Sequence, residues 1–141
     1  MQYEALVEKV QQKGALDSPG EAERAIRATL STLGECLYRT ERRHLASQLP
    51  KEAKSFLYEY ADMEVTRRRA VSFSLEEFYN RVGARIDLTF THAVKRAKAV
   101  VAVLHETLPE GEWAHIMDEL PSEYGQLLAD ESPEPGTPSP V

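Results

Sequence analysis

The sequence predicts an all-α protein: a duplicated four-helix repeat forming one compact bundle with pseudo-twofold symmetry, followed by a disordered C-terminal tail. Three observations carry that expectation. Apolar residues recur at three- and four-residue steps through most of the 141 residues. Helix-start signatures precede the apolar runs at Ser18-Pro19-Gly20-Glu21 and at Ser74-Leu75-Glu76-Glu77. One phrase also occurs twice, His44-Leu45-Ala46-Ser47-Gln48-Leu49-Pro50-Lys51-Glu52 returning 71 positions later as His115-Ile116-Met117-Asp118-Glu119-Leu120-Pro121-Ser122-Glu123.

In chain order, Tyr3, Leu6, Val7 and Val10 share one face of a helix over residues 3–13, with Gly14 expected as its left-handed C-terminal residue and Leu16 plugging the loop. The second helix starts with Ser18 as cap, Pro19 at the first helical position and Glu21 placed to return a hydrogen bond to the cap. Ala22, Ile26, Leu30, Leu33 and Leu37 continue it. Gly34 in its interior costs about 1 kcal/mol against alanine, which a close helix crossing would justify. Thr40 is expected to cap a third helix over residues 41–48. Pro50 breaks it and opens a fourth running to about residue 60, with Leu49 at the bend because the residue before a proline avoids the α region.

Residues 61–73 read as a linker containing Arg67, Arg68 and Arg69. Beyond it Ser74 caps, Glu77 completes a capping box, and Phe73 is positioned to staple onto Phe78. Ala99-Val100-Val101-Ala102-Val103-Leu104 alone fits a buried strand as well as a helix. Its counterpart in the repeat, residues 28–33, lies inside a well-started helix, so both are assigned as helices, the valine-rich one buried on more than one side. Pro109 and Gly111 open a seventh helix with Trp113, Ile116, Met117 and Leu120 apolar, and Pro121 opens an eighth. The organisation is therefore a first repeat over residues 1–60, a linker over 61–73 and a second repeat over 74–130. A tail follows over 131–141, where four of the chain's eight prolines fall.

A shift of 72 aligns Tyr3, Glu4, Leu6, Val10 and Leu16 with Leu75, Glu76, Phe78, Val82 and Leu88. One residue lost in a loop turns the shift to 71 for the remainder. Such a pattern is what two copies of one fold would show.

The net charge of −6 is uneven, with 9 basic against 9 acidic residues in positions 1–60 but 5 against 10 in positions 74–130. An acidic second half argues against a general nucleic-acid binder, because phosphate neutralisation supplies most non-specific affinity. The single cysteine, Cys36, has no internal disulfide partner and fits a reducing compartment. The longest apolar run is too short to cross a bilayer, and no signal peptide is evident, so a soluble cytoplasmic protein is expected.

The phrases Phe78-Tyr79-Asn80-Arg81-Val82, Ala99 to Leu104, Leu108-Pro109-Glu110-Gly111-Glu112, Gln48-Leu49-Pro50 and Glu119-Leu120-Pro121 form a recognisable set. They resemble the bacterial domain of unknown function 2267 family, whose members carry an F-x-x-R-V opening and a Q-L-P close. The likeness spans about residues 3–128. The first copy departs in its opening, Leu6-Val7-Glu8-Lys9-Val10, and the second carries Glu119 where the close has Gln. The resemblance implies a small, all-helical cytoplasmic protein and implies no activity.

The most suggestive constellation is metal-like. Glu41-x-x-His44 recurs as Glu112-x-x-His115, and Glu35 recurs as Glu106. Two Glu-x-x-His motifs with one further Glu from each of two helices are the ligand set of di-iron carboxylate bundles. Helical phase opposes an inward arrangement, since His115 lies about 160° around the helix from Trp113, so the histidines are expected at water or at an edge. The plainer reading is an acidic first-turn residue beside the helix dipole, paired with His at i+3. Cys36 lacks any nucleophile signature, a pairing with His44 is conjecture, and no catalytic motif is found, so no enzymatic activity is expected. Arg39, Arg42 and Arg43 form a basic cluster beside His44, and with Arg67 to Arg69 they define a candidate interaction surface. The repeated Leu49-Pro50 and Leu120-Pro121 corners, with Trp113, Phe73 and Phe78, read as structural.

The leading expectation is a non-enzymatic protein-interaction or regulatory module with a protein partner or a second copy of itself, and no cofactor. The alternatives are a metal- or small-ligand-binding bundle using the repeated Glu-x-x-His, and a nucleic-acid binder using the basic clusters.

Overall fold

The computed structural model describes residues 1–61 and 73–128, and they contain helices and turns but no strand. Helix α1 (Tyr3–Gly14) is followed by α2 (Pro19–Cys36), α3 (Arg39–Gln48) and a short α4 (Lys51–Lys54) that tightens into a 3₁₀ turn over Ser55–Tyr58. The second half runs α5 (Leu75–Ile86), α6 (Phe90–Thr107), α7 (Glu110–Glu119) and a 3₁₀ segment over Ser122–Leu128. Helix lengths of 12, 18 and 10 residues thus occur in the same order in each half. The expected linker basic run, Arg67 to Arg69, and the proline-rich tail lie outside the described residues.

The valine-rich stretch is helical, as its counterpart suggested. Helix α6 packs against α1, α2 and α5 and against the final 3₁₀ segment. Ala97, Ala99, Val100, Val101, Val103 and Leu104 are all buried on it. A helix touched from several sides needs apolar residues around most of its circumference, which is why its periodicity is blurred.

Several local expectations are corrected. Gly14 remains helical, and the left-handed position passes to Ala15 (φ 53°). There the N–H of Leu16 closes on the carbonyl of Gln11 at 2.9 Å. Gly14 serves packing instead, since a Cβ there would sit 3.3 Å from that of Ala99 on α6. Ser18 and Ser74 cap as expected, accepting from the N–H of Glu21 at 3.2 Å and of Glu77 at 3.0 Å. The two glutamates turn outward, Glu21 to Arg96 at 3.1 Å and Glu77 to Arg81 at 2.8 Å, because a charged partner outbids a backbone N–H. Thr40 does not cap α3. The cap is Tyr38, whose N–H donates to Glu119 on α7 at 2.9 Å. Phe73 lies against the core and beneath Arg81, whose guanidinium carbon is 4.3 Å from its ring centroid. Glu123 serves the start of α5, accepting from the N–H of Leu75 at 3.2 Å.

The Leu-Pro corners are structural. Leu49 and Leu120 adopt extended backbone (ψ 155° and 153°) that ends α3 and α7. Trp113, Ile116, Phe78 and Tyr124 fill the core, each buried aromatic or aliphatic side chain contributing about 1.5–3 kcal/mol. The Tyr124 hydroxyl donates to the Phe73 carbonyl at 2.6 Å.

The core is shared between the halves: α1 packs on α6, and α2 on both α5 and α6. Glu35 of α2 joins them in a part-buried cluster, meeting Arg85 at 3.2 Å and Arg81 at 3.4 Å. An isolated fragment of residues 1–61 exposes Leu6, Val10 and much of the α2 face to water. We expect it to be largely unfolded, with low helical circular dichroism; a sharp cooperative melt of that fragment would contradict a shared core.

Candidate functional site

The site lies where α3 meets α7. The first turn of each helix carries a glutamate, Glu41 and Glu112, and the two helices pack side by side so that these carboxylates face one another. Glu41 is only 6% exposed, against a charged residue's strong preference for water. The Oε2 atoms of both glutamates are shielded from solvent and have no hydrogen-bond partner. His44, one turn beyond Glu41, stands at the exposed edge of the seam. One donor atom from each of Glu41, His44 and Glu112 lies within 4.8 Å of the other two.

A carboxylate held away from water beside a second one gains affinity for a proton. Burial pushes the Glu41 carboxyl up to about 7; the Glu112 carboxylate, which accepts a hydrogen bond only once Glu41 is protonated, and repulsion from Glu112 and Glu119 add to it. The positive ends of α3 and α7 offset part of that repulsion, by about 0.3–1 kcal/mol each. The arrangement can do one of two things chemically. It can share a proton between the carboxyls, or it can accept a cation that satisfies both.

Of the six residues the sequence marked as metal-like, three come together and three do not. Glu35 is taken by Arg81 and Arg85. Glu106 is taken by Lys13 at 2.8 Å, which holds its carboxyl below the usual range. His115 is exposed and outside the cluster. The inward-facing di-iron set is therefore not assembled, because the two other glutamates are paired with cations, Glu35 in a part-buried cluster and Glu106 at the surface. Both histidines stand at the edge, as helical phase implied.

The remaining candidates have structural tasks. Cys36 is 2% exposed, 3.8 Å from the Tyr124 hydroxyl, and burial pushes its thiol up to about 12, so it is no thiolate nucleophile at neutral pH. Arg42 donates to the carbonyls of Gly34 at 2.9 Å and Leu37 at 2.7 Å, capping the end of α2 rather than forming a free basic patch. Arg39 and Arg43 are exposed. Sequence reasoning missed Glu119 as a member of the seam. Its replacement of Gln in the repeated Leu-Pro phrase was the available signal.

No described helix is long and apolar enough to cross a membrane. No curated protein matches the chain. The model of one family, the uncharacterised conserved proteins of DUF2267, matches residues 3–127, which spans α1 to the last 3₁₀ segment and includes the whole seam. The chain belongs to the DUF2267 family.

Proposed function

We propose that this protein is a non-enzymatic helical regulatory module whose α3–α7 seam takes a cationic ligand. The observation that supports it is the pair of buried glutamate oxygens, Glu41 Oε2 and Glu112 Oε2, left without a hydrogen bond. An unsatisfied buried carboxylate oxygen costs a folded protein about 1–3 kcal/mol or more, and a bound cation removes that cost. Because Glu41 and Glu112 belong to different halves of the chain, a cation between them ties α3 to α7.

Thermal melting of the full chain against a panel of cations tests this reading. The panel holds Zn²⁺, Mn²⁺, Mg²⁺, Ca²⁺, putrescine and guanidinium. At least one of them is expected to raise the melting temperature, by several degrees at saturating excess. The rise should vanish in Glu41→Gln and Glu112→Gln. A melting temperature that no cation moves would remove the reading.

A role in protein interaction is supported by a separate observation. Leu88, between α5 and α6, and Phe90, the first residue of α6, are large apolar side chains 37% and 45% exposed.

A further inference from the structure

We infer that the ligand of the seam is a divalent transition-metal ion of the zinc class, held by Glu41, Glu112 and His44; this rests on the cation-binding reading above. The donor set carries the assignment. It offers two carboxylate oxygens and one imidazole nitrogen, all within 4.8 Å of one another. Imidazole favours Zn²⁺, Cu²⁺, Fe²⁺ and Ni²⁺ over the hard cations. Ca²⁺ calls for about six to eight oxygens and Mg²⁺ for a near-octahedral oxygen shell, which three side chains do not supply.

Size and charge agree with that choice. Zn²⁺ bonds of about 2.0–2.2 Å at tetrahedral angles place the donors about 3.3 Å apart. The three donor atoms lie within 4.8 Å of one another, so small adjustments reach that spacing. His44 is exposed at the edge, so its adjustment does not require the core to move. Glu41 is fixed by its burial among the residues of the seam, and its Oε2 is buried there without a hydrogen-bond partner. Two carboxylates and one dication leave the donor set itself neutral, which favours keeping that charge out of water.

Three protein ligands would leave one position of a tetrahedral ion for water or a further ligand. His115 completes nothing. It lies three residues beyond Glu112 on α7 and outside the group of converging donors. The repeated motif thus yields one site from both copies: a Glu-His pair from α3 and a lone Glu from α7.

Calorimetric titration of the chelator-stripped full chain with Zn²⁺, and with Co²⁺ followed by visible absorption, tests the assignment. One ion per chain and the intense visible bands of tetrahedral Co²⁺ are expected. Affinity should fall at least about tenfold in each of Glu41→Gln, His44→Ala and Glu112→Gln, while His115→Ala and His92→Ala bind as the parent does. The glutamine variants remove charge repulsion and keep the side-chain shape, so their helical dichroism confirms that they are folded. Zn²⁺ binding that survives Glu41→Gln, or that is lost in His115→Ala, overturns the assignment. So does equal competition by Mg²⁺ or Ca²⁺. If putrescine or guanidinium stabilises the protein through Glu41 while Zn²⁺ fails to bind, the zinc-class inference falls and the cationic-ligand reading stands. If neither kind of cation acts, both fall.

Discussion

Gly34→Ala is expected to lower stability by about 3 kcal/mol, enough to take roughly 10 °C from the melting temperature of a chain this size. Helix propensity argues the other way. Alanine inside α2 is favoured over glycine by about 1 kcal/mol, so a gain would follow if the position were open. It is not open. A Cβ on Gly34 would land on the carbonyl oxygen of Leu57 and 2.9 Å from its carbonyl carbon. Both belong to the backbone of the 3₁₀ turn over Ser55–Tyr58, which no rotamer change can move aside. Accommodation requires separating α2 from that turn, and with it the buried Leu33, Leu37 and Leu57. Gly111 is the internal control. It has no heavy atom within 4 Å of an added Cβ, so Gly111→Ala should be neutral or slightly stabilising. Thermal melts of the two variants check the contrast, and equal melting temperatures would contradict the close crossing.

Glu41→Gln should leave the ion-free protein about as stable as the parent at pH 5 and make it more stable by about 2 kcal/mol at pH 8. The sign follows from the Glu41 carboxyl, raised in the folded protein from 4.5 to about 7, with burial the largest cause. A raised carboxyl binds its proton more tightly in the folded chain than in the unfolded one. Its contribution is therefore complete below about 4.5, declines as the pH climbs, and is gone above about 7. Water at the His44 edge screens part of the effect, which is why the figure stays below the full linkage value. Glutamine cannot ionise, and its amide donates to Glu112, so its advantage appears only where the parent pair is charged. Chemical denaturation of both proteins in the presence of chelator, at the two pH values, measures the difference. A difference that does not change with pH would mean that the Glu41 carboxyl is not raised in the folded chain.

The local elements were legible in the sequence because their causes are local. Ser18 and Ser74 cap helices through a bond to a residue three positions on, and Leu49 is held extended by the ring of Pro50. The valine-rich α6 was assigned correctly only through its counterpart, since burial on several sides erased its own period. Where the sequence misplaced a detail, a distant partner had intervened. Glu21 left its cap for Arg96, and Tyr38 took the cap of α3 from Thr40 because Glu119 accepts its N–H.

The candidate site divides in the same way. The repeated Glu-x-x-His was visible as spacing, and its helical phase placed both histidines at an edge. Sequence by itself determined an all-helical chain of this family, its caps and bends, and the list of six residues able to ligate. Only the tertiary structure decided which of them meet. Lys13 and the pair Arg81 and Arg85 are far from Glu106 and Glu35 in the chain, yet they neutralise those two glutamates. The packing of α3 on α7 brings Glu41, Glu112 and His44 together and leaves His115 outside. Spacing along one helix fixes what shares a face; which faces come into contact depends on how the whole apolar surface is buried, and no local pattern encodes that.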